Sequence, residues 1–236
     1  MNHTTMNPWI AVAATLLLAV VPCKAEPVEI RVRLHVYVRT SPSTLAEAKE
    51  TASFALLQAG VRPSWVQCPT QDSEPTPDPS CLQPLTPLDL QLRILDRVMA
   101  KRVRRGSESM GFALVAGEFS SIAAAYFHRA VELEAGNLAS RGAILGGILA
   151  HEIGHLLGVT RHSERGLMRA VWQDQDLKAL AKGRLWFTEE QAVRIAEAVA
   201  KRDAISCRPA GTRAANSHRE TCESAPPANL AAASPR

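Results

Sequence analysis

Several features that would indicate other classes of protein are missing from this chain of 236 residues. The apolar stretch at residues 9–21 is too short for a typical membrane-spanning helix, which needs about 20 apolar residues. No internal repeat is present. The charge balance is close to even, at a formal +4. A basic cluster (Lys101, Arg102, Arg104 and Arg105) has no aromatic residues between its charges, and this favours a solvated loop over a nucleic-acid interface.

Residues 1–25 are typical of a signal peptide that is removed on export. The apolar stretch is followed by Cys23, Lys24 and Ala25, which form a small-residue cleavage site. No Lys or Arg precedes this stretch, so the amino terminus is the only positive charge there. We therefore expect a secreted or periplasmic protein with no stable membrane anchor after cleavage. The mature chain would begin almost at its first strand, with no room for an inhibitory pro-segment.

Cysteine is scarce, and its distribution predicts disulfides. Of the five cysteines, Cys23 would leave with the signal peptide, and the remaining ones are Cys68, Cys81, Cys207 and Cys222. An even number in an exported chain suggests two disulfides, and four cysteines allow three pairings. We predict the sequence-local pairing, Cys68–Cys81 and Cys207–Cys222. Free thiols are the alternative, and they would imply a cytosolic protein.

The patterning of the rest of the chain predicts an α+β order of elements. Strands are predicted at residues 28–39, 61–67, 88–98, 112–116 and 123–131, and helices at 43–59, 138–157 and 188 to about 202. Ser43 is a candidate cap for the first helix, and Thr188 with Gln191 predicts a capping box for the last. The Pro-rich segment 68–87 and residues 100–110 are predicted loops.

The pattern His-Glu-x-x-His at residues 151–155 predicts a metal site. On a helix, His151 and His155 lie one turn apart on the same face, so their imidazoles can bind one tetrahedral zinc ion. Zinc lowers the pKa of a bound water to about 7, and Glu152 can accept the proton of that water. A buried structural pair of histidines is the alternative.

The residues that follow this pattern resemble the metzincin zinc peptidases, and most of all the matrixin branch. Residues 151–168 read His-Glu-Ile-Gly-His-Leu-Leu-Gly-Val-Thr-Arg-His-Ser-Glu-Arg-Gly-Leu-Met. The resemblance implies metal ligands at His151 and His155, a general base at Glu152, a turn glycine at Gly158 and a Met-turn methionine at Met168.

The third metal ligand departs from the metzincin spacing. That spacing places a histidine at position 161, which is Arg161 here, and a protonated guanidinium has no lone pair for a metal. His162, one residue later, is the expected substitute. A hydrolase of another zincin class, with Glu164 or Asp174 as the third ligand, is a further alternative. Met168 and the His162-Ser163 pair favour the metzincin interpretation.

The resemblance also implies a fold and an activity. The fold would be an α+β, metzincin-like (zincin) fold with a twisted mixed sheet, a zinc-binding active-site helix and a small C-terminal helical subdomain. The chain would divide into a signal peptide (1–25), a catalytic domain (26–206) and a poorly ordered tail (207–236).

The implied activity is that of an exported, monomeric metalloendopeptidase that uses Zn²⁺ and hydrolyses a peptide or protein substrate. The substrate would lie along an edge strand, which we expect at residues 123–131. The alternative is a non-catalytic exported protein that binds zinc or a partner on the same fold. No nucleic-acid partner is expected.

Overall fold

A computed structural model describes residues 26–70, 78–103, 109–115 and 119–207. The predicted signal peptide, Arg104 and Arg105 of the basic cluster, and all but Cys207 of the predicted tail lie outside the described residues. Within those ranges, no helix combines the length and the apolar character needed to cross a membrane.

The described residues form a mixed sheet with helices. In chain order the elements are β1 (Val28–Val36), α1 (Pro42–Gln58), β2 (Val61–Cys68), a 3₁₀ turn (Pro79–Cys81), β3 (Asp89–Leu95), α2 (Arg97–Arg102), β4 (Gly111–Ala113), β5 (Ile122–Tyr126), α3 (Phe127–Glu134), α4 (Arg141–Leu156), α5 (Asp174–Ala181) and α6 (Glu189–Ser206). The strand order is β2-β1-β3-β5-β4, with β4 antiparallel and the other pairs parallel. The prediction of a mixed sheet combined with helices is confirmed.

The helix that carries the His-Glu-x-x-His pattern, α4, is buried along almost its whole length. It contacts α1, α3, α5 and the strands β4 and β5. Its contact with α1 is very close: a Cβ atom on Gly146 would lie 2.4 Å from the carbonyl oxygen of Ala48. Glycine is therefore required where α4 crosses α1. The close contact with α1 helps to fix the position of α4 against the sheet.

Two predicted segments end differently in the structure. The strand predicted at residues 123–131 stops at Tyr126, and the following residues form α3. The loop predicted at residues 100–110 starts too early, because Arg97–Arg102 form helix α2. That helix is capped by Asp96, whose carboxylate accepts a 2.7 Å hydrogen bond from the backbone N–H of Met99.

The predicted edge strand is also wrong. Strand β5 is paired on both sides, with β3 and with β4, so its backbone groups are already used within the sheet. The strand at that edge of the sheet is β4, residues Gly111–Ala113.

The predicted helix ends are confirmed in part. Thr188 and Gln191 form the expected capping box of α6, and that helix continues to Ser206. Helix α1 is capped by Ser41 and not by Ser43, because Pro42 occupies the first turn and Ser41 Oγ accepts from the N–H of Thr44 at 3.0 Å. Helix α5 has no counterpart among the predicted elements.

The Cys68–Cys81 disulfide is present and closes the Pro-rich loop between β2 and β3. Arg33 fixes the same loop, since its buried guanidinium donates to the carbonyl oxygens of Gln83 and Pro84. The Cys207–Cys222 pairing stays a prediction, because Cys222 lies outside the described residues.

Candidate metal centre

Three histidines converge at the end of α4. One potential ligand nitrogen from each of His151, His155 and His162 lies within 4.8 Å of the others. The helical spacing places the first two, and the turn after α4 returns the chain so that the third faces them. Gly158 makes this turn with a φ of +95°, a left-handed conformation that favours glycine.

The helix histidines are held in one tautomer by backbone carbonyls. His151 Nδ1 lies 2.8 Å from the carbonyl oxygen of Leu167, and His155 Nδ1 lies 2.6 Å from that of Val159. A carbonyl can only accept, so each Nδ1 carries the proton and each Nε2 keeps its lone pair. The Nε2 atoms of His155 and His162 are 3.3 Å apart, and both face the same point. This is the arrangement that metal-binding imidazoles need.

The turn that carries His162 is tied to the last described helix. The N–H of Ser163 donates to the carbonyl oxygen of Met168 at 2.9 Å. Gln191 Nε2, in the first turn of α6, donates to Ser163 Oγ at 3.0 Å. His162 itself is exposed, so these neighbouring contacts are what hold its backbone in place.

Met168 lies beneath the motif helix as a buried apolar residue. Its side chain is fully buried, and a Cβ atom on Gly154 would lie only 2.8 Å from Met168 Sδ. The Met168 sulfur therefore packs against α4 at Gly154, which lies between His151 and His155 in the sequence. This contact leaves no space for any side chain at position 154.

Glu152 is a buried carboxyl group without a compensating partner. It is 3% exposed, and its Oε2 has no hydrogen-bond partner among the described residues. Burial raises the pKa of Glu152 to about 8. Strand β4 comes so close that a Cβ atom on Gly111 would lie 2.7 Å from Glu152 Oε1.

The histidines are neutral in this environment. Burial, with a smaller contribution from the neighbouring His155 and His162, lowers the pKa of His151 to about 3. Burial also lowers the pKa of His155 and of His162. Neutral imidazoles are the form that binds a metal ion, so the site has its ligands ready near pH 7.

A cavity of about 360 Å³ opens beside these groups. Its lining includes the three histidines, Glu152, strand β4, and Ala170 and Val171 on the opposite wall. An extended ligand in this cavity would therefore face the histidines and Glu152 together.

The structure brings together every predicted site residue around this cavity or its supporting turn: His151, Glu152, His155, Gly158, His162 and Met168. The alternative ligands Glu164 and Asp174 are exposed and are not part of the histidine cluster. Sequence reasoning missed Gly111, and it assigned Gln191 only to the capping box of the last helix and not to the contact with Ser163. Gly111 gave no signal, because its role depends on a strand pairing that brings it to Glu152.

No protein-family model and no curated protein matches this sequence. Among solved structures, the chain is similar to archaemetzincin from Methanopyrus kandleri, with 12% identity, a TM-score of 0.42, and coverage of 75% of this chain and 96% of that one. It is also similar to metalloproteinase-II from Bacteroides fragilis, with 16% identity, a TM-score of 0.43, and coverage of 73% of this chain and 53% of that one. The chain thus spans about half the length of the second protein.

Proposed function

We propose that this protein is an exported zinc-dependent metalloendopeptidase in which Glu152 is the general base. One observation supports this most directly: three neutral imidazoles line the same open cavity as the buried carboxyl group of Glu152, whose Oε2 has no hydrogen-bond partner within the described part of the chain. A purely structural zinc site needs no base, and it usually fills its fourth position with another protein ligand.

The residues present suit Zn²⁺ as the cofactor. Three imidazole nitrogens with one open position are a common ligand set for a catalytic zinc site. A zinc ion held by His151, His155 and His162 would polarise the carbonyl of a substrate and lower the pKa of water to about 7.

In the metal-free protein burial raises the pKa of Glu152 to about 8. A zinc ion held by the three histidines would lower this pKa, because a nearby positive charge favours the carboxylate, and the carboxylate could then accept a proton from water and pass it to the leaving amine. Glu152 lies on α4, and its carboxyl group comes so close to Gly111 of β4 that a Cβ atom there would lie 2.7 Å from Oε1.

Strand β4 is the element that we expect to bind the substrate. It is paired on one side only, with β5, and its residues line the cavity. An extended peptide can add to such an edge through backbone hydrogen bonds. This assignment replaces the strand that was expected at residues 123–131.

Met168 and the His162-Ser163 pair support our proposal that the protein is most similar to the matrixin branch of the metzincins. The Cys68–Cys81 disulfide is compatible with export. The division into a signal peptide (1–25), a catalytic domain (26–206) and a tail (207–236) belongs to the same proposal, as do a secreted or periplasmic location and a monomeric state. The second candidate, a non-catalytic zinc-binding or interaction protein, explains the histidines but not the buried Glu152.

The substitution Glu152→Gln tests the proposal. We expect it to retain zinc and fold while hydrolysis of a casein or peptide-library substrate falls by about 10²- to 10⁴-fold, the usual contribution of a general base. Zinc content and circular dichroism would be measured beside activity. Glu164→Gln, on an exposed residue of the following turn, is the matched control and should keep its activity. Equal cleavage by wild type and Glu152→Gln would contradict the proposal.

A further inference from the structure

A second cavity adjoins the metal centre on the side of the α4 C-terminus. It measures about 250 Å³, and His155, Thr160 and Val115 line both cavities. A molecule bound at the metal centre can therefore extend into the second cavity without leaving the protein surface. Part of its wall is apolar, from Phe119 and Leu156.

The last turns of α6 supply two cationic side chains to this cavity, Lys201 and Arg202. Lys201 is exposed at the surface, whereas Arg202 is only 2% exposed. Among the described residues that line the first cavity there is no Lys or Arg.

Arg202 is a buried cation whose partners are all neutral. Its guanidinium donates to the carbonyl oxygens of Pro87, Ser120 and Leu156 at 2.7 to 2.9 Å. Its Cζ atom lies 5.7 Å from the centre of the Phe119 ring. Within the described ranges of the chain, no carboxylate forms an ion pair with Arg202, and burial lowers its pKa. Burying a charge in this way is unfavourable unless an opposite charge can approach it.

We propose that the second cavity is a substrate subsite that binds a peptide carboxylate, and that Lys201 and Arg202 determine this specificity. This inference rests on the proposed peptidase function. The carboxylate can come from an aspartate or glutamate side chain, or from the C-terminus of the peptide. A volume of about 250 Å³ corresponds to about eight water molecules in the liquid, which is enough for an acidic side chain or a terminal residue.

The binding of peptides to the zinc-loaded Glu152→Gln variant tests the subsite without requiring turnover. Four fluorescent peptides that differ at one internal position and at the C-terminus would be compared. Two contain Glu at that position and two contain Gln, and each form is made once as the free acid and once as the C-terminal amide. We expect the Glu peptide, or the free acids, to bind about tenfold more tightly than the neutral peptides, as for one charge-assisted contact worth about 1.4 kcal/mol. The preference should decrease at high salt.

The Glu-to-Gln pair and the acid-to-amide pair distinguish the two sources of the carboxylate. Lys201→Glu should reduce the preference to about one or reverse it. Arg202→Lys keeps the charge but not the geometry, and it should reduce the preference less. Lys182→Glu, an exposed lysine outside both cavities, makes the same charge change and should leave the preference intact.

The outcomes separate this inference from the proposed function. If all four peptides bind equally, or if Lys201→Glu and Lys182→Glu behave alike, the subsite is refuted even when wild type cleaves peptides. If the preference is present in binding but wild-type protein with zinc cleaves none of the peptides, the cavity does bind carboxylates and the peptidase function is wrong.

Discussion

The three histidines of the metal centre differ in how firmly the protein holds them. His151 is buried and His155 is half-buried, and each is bound through Nδ1 to a backbone carbonyl. His162 is exposed, and the turn around it is held mainly by contacts of Ser163. The third ligand should therefore be the most mobile of the set, and the first two should determine where the metal lies.

His155→Ala should abolish stoichiometric zinc, because only two ligands would remain. His162→Ala should weaken zinc binding by more than about 100-fold. Loss of a residue that only hydrogen-bonds to a metal ligand already lowers metal affinity by about 10- to 100-fold, and loss of a ligand itself should cost more. Metal analysis after dialysis against a competing chelator measures both. Glu164→Ala is the control and should keep its zinc. Full zinc in His162→Ala together with loss in Glu164→Ala would assign the third ligand to the carboxylate.

Met168 should act as an apolar floor and form no bond to zinc. Its sulfur packs against Gly154 of the motif helix, and thioether is a soft ligand poorly suited to a histidine site. Met168→Leu nearly conserves volume, so we expect a loss of less than about 1.5 kcal/mol in the free energy of unfolding. Zinc affinity should be unchanged. A large fall in zinc affinity with an intact fold would show that Met168 does more than pack.

Among the elements, the disulfide loop and the metal centre lie at opposite edges of the sheet. Cys68 ends strand β2, which is one edge, and β4 beside the metal centre is the other. Removing the disulfide should therefore change stability without changing the metal site.

The double substitution Cys68→Ser, Cys81→Ser should lower the free energy of unfolding by about 3 kcal/mol, from the chain-entropy effect of a cross-link across 13 residues. Denaturant titration measures this loss, and zinc titration of the folded protein should give the wild-type affinity. A changed zinc affinity would mean that the loop reaches the metal centre through the sheet.

The elements that sequence reasoning predicted well have strong local signals. Strand β1 has alternating apolar residues that are buried (Ile30, Val32 and Leu34), α4 carries a long apolar pattern and is followed by Gly158, and Thr188 with Gln191 marks the start of α6. The candidate metal site was predictable because His151, Glu152 and His155 lie within about one helical turn. His162 was predictable only through a resemblance, since spacing alone does not bring it back to the helix.

The elements that were missed lack such signals or need the tertiary structure. Helix α3 begins after Tyr126 with no side-chain cap, and it directly follows the apolar, Ala-rich strand β5, so no local signal marks the change from strand to helix. The N-cap of α5 is Gln173, whose backbone N–H donates to Asp176 Oδ2 at 2.8 Å, and glutamine is not among the residues preferred at an N-cap. The position of β4 at the edge follows from pairing across the sheet, which no local pattern records.

For the whole molecule, Glu152 and His151 give opposite contributions to the pH dependence of stability when the metal is chelated. The pKa of Glu152 is raised from 4.5 to about 8, so the folded state binds more protons than the unfolded chain in that window, and stability falls as pH rises. The pKa of His151 is lowered from 6.5 to about 3, so stability rises with pH between those values.

The two effects cancel between about pH 4.5 and 6.5, so we expect the stability of the metal-free protein to be level there. It should then fall by about 2 kcal/mol between pH 6.5 and 8, at about 1.4 kcal/mol per pH unit. Denaturant titrations in EDTA across this range measure the decline. Glu152→Gln cannot titrate and should remove it. An equal decline in the variant would assign the effect to another group.

The hydrogen bond between Gln191 and Ser163 has a consequence for the order of events during biosynthesis. The ribosome releases α4, with two histidines and Glu152, well before α6. Yet α6 supplies both Gln191, which holds the turn beside His162, and Arg202, which donates to Leu156 at the end of α4. A nascent chain that has not completed α6 therefore has an unfinished centre. The site that we propose for hydrolysis is complete only after translation has passed α6.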